Sequence, residues 1–164
     1  MRVIVMFLSL VVCTQVWAGE LSKPTGKVIL TVSGNIENTN ADGKAVLDIA
    51  SLEKLGMESI QTTSPWYNGR TTFTGIPMQK LMDYLGAKGS ILKVTALNDY
   101  TTVIPLSDFK NYNVILALKV DGEYMRIRDK GPLFIVYPYD SMPELNNQVF
   151  YSRSAWQVNR MSIE

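Results

Sequence analysis

The chain has 164 residues, 16 Lys and Arg against 15 Asp and Glu, one cysteine and no histidine. Near-neutral charge without a basic excess gives no footing for nucleic acid, and no long charged run marks a solvated tail. With its one cysteine at Cys13, the chain beyond that point can build no Cys-His or Ser-His-Asp site, no histidine proton shuttle and no cysteine-ligated metal centre.

Residues Met1–Ala18 read as a secretory signal. Arg2 starts it, Val3–Val12 is almost wholly apolar, and Val16-Trp17-Ala18 sets cleavage after Ala18. The apolar run is shorter than the roughly 20 residues a spanning helix needs. Val12, before Cys13, is too bulky for a lipoprotein cut. The expected destination is the periplasm, where residues 19–164 would form a single domain of a size that carries its own core. No repeat, low-complexity block or linker divides them.

Lys27–Ser33 is β-branched and apolar, a strand stopped by Gly34-Asn35. Asp42-Gly43 marks a turn. Asp48 caps a short helix with Ile49, Leu52 and Leu55 on one face and Gly56 at its end. Met57–Thr62 is extended, and Thr63–Thr72 reads as a polar loop carrying Trp66. Pro77 opens the clearest helix: Met78, Leu81, Met82 and Leu85 recur at helical spacing, as core, and Gly86 closes it.

The second half is mostly strand. Ile91–Leu97 and Thr101–Leu106 flank Asn98-Asp99-Tyr100, and Ser107 caps a single turn over Asp108–Tyr112. Val114–Val120 and Glu123–Ile127 flank Asp121-Gly122, a strong hairpin signal. Leu133–Tyr137 is a further strand, followed by a polar loop and the tail Val149–Glu164. Strands outnumber the short helices, so the fold class is α+β with a mainly antiparallel, curled sheet.

Three segments together resemble the molybdopterin-binding domain of the sulfite oxidase fold family. They are Phe73-Thr74-Gly75-Ile76-Pro77-Met78 with Leu81-Met82 and Gly86, then Asp129-Lys130-Gly131-Pro132-Leu133, then Ser152-Arg153-Ser154-Ala155-Trp156-Gln157-Val158. The resemblance runs over about residues 26–164, and the order and spacing of the segments carry it. Enzymes of that family place a metal-binding cysteine about a dozen residues before the Gly-apolar-Pro element, which falls here on Thr62, Thr63 and Ser64. A hydroxyl is a poor substitute for a thiolate on a soft molybdenum centre. The chain is also similar to small, exported, cysteine-less relatives in this fold. That similarity implies a simple pterin as ligand, with molybdopterin as the other candidate. It also implies a partner, the periplasmic domain of an inner-membrane enzyme of cyclic di-GMP metabolism. On this basis the chain is expected to be a sensor or adaptor and not an enzyme; the alternative is a molybdopterin-dependent oxidoreductase without the usual cysteine.

A pterin is a flat fused ring with an amino-and-oxo edge, so it calls for an aromatic wall and for hydrogen-bonding groups at that edge. Trp156 is the first stacking candidate, with a core plug beside Val158 as the equal alternative. Trp66, in Pro65-Trp66-Tyr67-Asn68-Gly69, is expected near the surface. Arg153 would share a face with Trp156 if the stretch is helical, and could grip an oxo group or phosphate. Asn98, Asp99 and Tyr100 could aim a carboxylate and a ring at a ligand, or form a plain turn. Arg126, Arg128 and Lys130 alternate and, if extended, make a basic stripe for a phosphate or a partner, or a charged strand edge.

Overall fold

The computed structural model describes residues 21–164, so the signal expected over Met1–Ala18 lies outside the described residues. The first strand, β1 (Leu30–Gly34), starts three residues later than expected. The Asp42-Gly43 turn forms with both residues at positive φ. It leads into β2 (Ala45–Leu47), which pairs antiparallel with β1 and is too short to show alternation in the sequence.

Asp48 then caps α1 (Ile49–Glu53). Its Oδ1 accepts from the Ser51 N–H at 2.8 Å, and its Oδ2 accepts from Thr25 and Gly26 N–H groups at 2.9 and 2.7 Å. The Ser51 hydroxyl, then the Gly26 and Ser51 amides, hold this carboxyl far below the usual range. One side chain thus starts a helix and fastens the segment before β1.

β3 (Glu58–Ser64) and β4 (Tyr67–Pro77) form a long hairpin whose two-residue turn is Pro65-Trp66. The expected polar loop over Thr63–Thr72 is therefore mostly strand. Thr62 pairs with Thr71 and Gln61 with Thr72, and this cross-strand ladder outweighs the turn-like composition. The register shifts between Thr62 and Ser64, and Gly69 on the facing strand takes a φ of 73°. Pro77 ends β4 directly before α2 (Met78–Leu85), which buries Met78, Leu81, Met82 and Leu85 and ends on Gly86 in the left-handed region.

β5 (Ile91–Ala96) and β6 (Thr101–Pro105) make the next hairpin, followed by α3 (Ser107–Asn111). β7 (Ile115–Val120) turns at Asp121-Gly122 into β8 (Glu123–Tyr124), shorter than expected. The chain then leaves the extended conformation. Ile127–Asp129 is a 3-10 turn, closed by amides of Asp129 and Gly131 that both donate to the Arg126 carbonyl. The expected alternating basic stripe over Arg126–Lys130 does not form. β9 (Phe134–Val136) follows, then α4 (Gln148–Arg153) and β10 (Val158–Ile163).

The fold class is α+β as expected, with two five-stranded sheets in place of one curled sheet. The first has the order β2-β1-β10-β5-β6; the second runs β3-β4-β7-β8, with β9 paired to β7. Among the described residues, all strand pairs are antiparallel except β1 with β10. Leu30, Val32, Val94 and Met161 from the first sheet share one core with Phe73, Leu116 and Phe134 from the second. Burying each such side chain is worth about 1.5–3 kcal/mol. At Gly75 the strands approach so closely that a Cβ would sit 2.0 Å from the Leu116 carbonyl oxygen. Among the described residues no helix is long and apolar enough to cross a membrane.

Candidate functional site

Three chain segments converge at one end of this core: the β3–β4 turn, the β5–β6 connection, and the stretch from α4 to Trp156. They enclose a cavity of about 350 Å³. Its aromatic wall is Trp66, Tyr151 and Trp156; its polar groups come from Asn98, Tyr100, Gln148, Ser152 and Ser154, with Pro65 and Ala96 completing the lining.

Trp66 is the hub of the wall. Its ring centroid lies 5.4 Å from Phe134, 5.5 Å from Trp156, 5.9 Å from Tyr151 and 6.2 Å from Tyr139, mostly edge to face. Trp156 sits in the kink between α4 and β10. It bridges Phe134 through the backbone, and Gln157 after it has a φ of 55°. The ring packs 6.2 Å from Phe134 yet stays 37% exposed, so it serves the core and the cavity at once. At the rim, the Tyr100 hydroxyl donates to the Ser152 carbonyl at 3.1 Å. Asn98 Oδ1 accepts from the Tyr100 N–H at 3.1 Å, which leaves its amide N–H₂ facing no protein acceptor among the described residues.

Among the described residues, no charged one lines the cavity. Of the sequence candidates, Trp156, Trp66, Asn98 and Tyr100 are brought together there, and four charged ones are not. Asp99, at φ 62°, is highly exposed and pairs with Arg160 at 2.6 Å. Arg153 is the last residue of α4; because the helix stops there, Trp156 does not fall on its face. Its guanidinium instead meets Asp108 in the interior at 2.8 Å. Asp108 Oδ2 also accepts from the buried Tyr137 hydroxyl at 2.7 Å. Burial first, then that bond, push the Tyr137 phenol far above its usual range, and burial does the same for Tyr139. Arg128 lies 3.7 Å from Asp129, which Arg126 already grips at 2.7 Å. Lys130 sits over the Tyr67 ring at 4.8 Å.

Sequence reasoning missed Gln148, Tyr151, Ser152 and Ser154. The first three recur at i, i+3 and i+4, one face of α4; reading the tail as one undivided piece hid that spacing.

The positions where a metal-binding cysteine would fall are also visible. Thr62 is fully buried; its hydroxyl donates to the Thr63 carbonyl and accepts from the Asp140 N–H, both at 3.1 Å. The Thr63 hydroxyl and amide are both taken by the Asp140 carboxylate. Those bonds and the nearby Arg70 lower the Asp140 pKa. Ser64 Oγ is buried and finds no hydrogen-bond partner among the described residues. This donor set of three hydroxyls, two of them already engaged, does not fit a cysteine-ligated molybdenum.

Residues 42–140 match the family model of the oxidoreductase molybdopterin binding domain, more than half of the chain. That span includes Pro65, Trp66, Ala96, Asn98 and Tyr100, whereas the α4–Trp156 wall lies beyond it. No curated protein matches the chain. Among solved structures, the crystal structure of the sulfane dehydrogenase SoxCD from Paracoccus pantotrophus is similar in fold, with a TM-score of 0.58 and 16% identity. The similarity covers 82% of this chain and 37% of that one. The expectation that the chain is not an enzyme is corrected by the family match, because a domain family of oxidoreductases points to an oxidoreductase. With that match and a sulfite oxidase-type fold, the chain belongs to the oxidoreductase molybdopterin-binding domain family.

Proposed function

We propose that the chain binds a pterin ring in the Trp66–Trp156 cavity, and that its ligand is a simple pterin without phosphate in preference to molybdopterin. The observation that carries this reading is an aromatic-walled cavity with a neutral polar rim. The walls suit a flat fused ring. The amides of Asn98 and Gln148 can donate and accept at an amino-and-oxo edge, and the Ser152 hydroxyl, which donates to the Val149 carbonyl at 2.7 Å, can accept there. A phosphate calls for a cation, and Arg153, Arg128 and Lys130 are committed elsewhere.

Two uses of the bound pterin have support. Membership of an oxidoreductase family favours a redox one, in which the pterin itself cycles between reduced and oxidised forms. The resemblance to small exported relatives favours a signalling one: in the periplasm, the loaded domain would dock on the periplasmic domain of an inner-membrane cyclic di-GMP enzyme. The partner's unequal affinity for loaded and empty forms would carry the message.

Ligand released from the purified protein, examined by mass spectrometry, pterin fluorescence and metal analysis, tests the binding proposal. A simple pterin at near one per chain supports it. Molybdopterin with molybdenum overturns the preference for a simple pterin. A protein that carries nothing and fails to bind added neopterin overturns the whole reading.

A further inference from the structure

The aromatic wall does not end at the cavity. From Trp156 the rings continue to Trp66 at 5.5 Å, to Tyr139 at 6.2 Å and to Tyr137 at 6.4 Å. A parallel branch runs from Trp66 to Tyr151 at 5.9 Å and on to Tyr139 at 5.4 Å. This is a continuous ladder of oxidisable side chains from a half-exposed indole to a phenol with no solvent exposure.

The members differ in what their polar ends touch. The Tyr139 hydroxyl meets the Ser154 hydroxyl, and Tyr151 donates to the Asn146 side-chain carbonyl. Neither partner is a base. Tyr137 alone in the ladder donates to a carboxylate, Asp108 Oδ2 at 2.7 Å, with the Arg153 guanidinium on the same oxygen. Tyr124 also faces a carboxylate, Glu53, but contacts none of the ladder rings. A phenol loses an electron readily only if its proton has somewhere to go, and the Tyr137–Asp108 pair supplies that acceptor.

We propose that Trp156, Trp66 and Tyr139 conduct one electron between the cavity and Tyr137, which stores an oxidising equivalent as a tyrosyl radical. A one-electron oxidant in the cavity gains an electron from Trp66. Trp66 is refilled across the Tyr139 ring by Tyr137, whose O–H bond breaks as the proton passes to Asp108 Oδ2. The oxidant is reduced by one electron, Tyr137 becomes a neutral radical, Asp108 becomes a carboxylic acid, and no atom leaves the protein. That the natural oxidant is a one-electron-oxidised pterin rests on the reading above; the ladder itself does not. A pterin changes oxidation state by two electrons, and a one-electron store beside it lets them move singly.

The test needs no pterin. In the full chain carrying Trp17→Phe, Trp66 and Trp156 are the only indoles. Azidyl radicals made by pulse radiolysis oxidise these indoles, and the indolyl absorbance is followed as it gives way to tyrosyl. The expected transfer is first order, has the same rate at every protein concentration, and slows severalfold in deuterated water because a proton moves. Tyr137→Phe should cut the tyrosyl yield severalfold, while Tyr84→Phe, a ring outside the ladder, leaves it unchanged. An unchanged yield in a folded Tyr137→Phe chain, a rate that scales with protein concentration, or no isotope effect in the Trp17→Phe chain overturns the proposal.

Discussion

The Trp66–Trp156 cavity and the Arg126–Lys130 turn were both candidate binding regions, and they differ in what their side chains do with one another. In the turn, Arg126 and Arg128 share Asp129, and Lys130 covers Tyr67. The two arginines are taken by a carboxylate beside them in the chain, and the lysine lies over a ring from a distant strand. At the cavity, charge has been withdrawn to a distance: Arg153 points into the core toward Asp108 and Asp99 pairs with Arg160 on the surface. Aromatic faces and neutral donors and acceptors remain. A cluster of cations in sequence is a site only if no local carboxylate takes it, whereas indoles held edge to face keep part of their surface for a ligand.

The sharpest way to break this contrast is Trp66→Ala. It removes four ring contacts at once and should cost about 3–5 kcal/mol, read as a lower urea midpoint, with loss of pterin binding. Asp108→Ala should cost about 3 kcal/mol by leaving the Arg153 cation and the Tyr137 hydroxyl without their partner; thermal unfolding measures it. Trp156→Ala removes two ring contacts, so it should destabilise the fold less than Trp66→Ala and weaken pterin affinity by about 1–3 kcal/mol, read by fluorescence titration; full affinity in that variant would remove the stacking role.

Acid should act on the fold and leave the cavity alone. Asp48 and Asp140 have folded pKa values below their unfolded ones. Their contribution is complete above about pH 4 and is lost as pH falls through the lower folded values. Urea midpoints should therefore drop below about pH 4, while pterin affinity holds between about pH 7 and about pH 5, since no carboxylate among the described residues lines the cavity. The smallest effect belongs to Arg128→Ala, expected within about 0.5 kcal/mol in stability and without change in pterin titration.

Local signals in the sequence placed the elements whose causes are local. Met78, Leu81, Met82 and Leu85 with Gly86 gave α2 with its buried face, and Asp121-Gly122 gave the β7–β8 turn. Trp66, Trp156, Asn98 and Tyr100 were legible because turn residues and a Trp-Gln segment flagged them. The rest depends on partners far away in the chain. Pro65, Asn68 and Gly69 looked like a loop, but the threonines facing across the hairpin make them a turn and a register shift. Arg153 was expected at a ligand because nothing in its neighbourhood reveals Asp108, 45 positions earlier. Likewise no local pattern announces that β10 lies parallel to β1.

That parallel pair has a kinetic consequence. β10 occupies the middle of its sheet, between β1 and β5, and the Ser33 hydroxyl reaches the Met161 carbonyl across 128 positions. Until Val158–Ile163 has been synthesised, the β1–β2 and β5–β6 hairpins have no strand to join them. Closure of the sheet is a late and non-local event, of the sort that slows folding. A nascent chain would wait with two open strand edges, and a chain truncated before Val158 would keep them, inviting association with its neighbours.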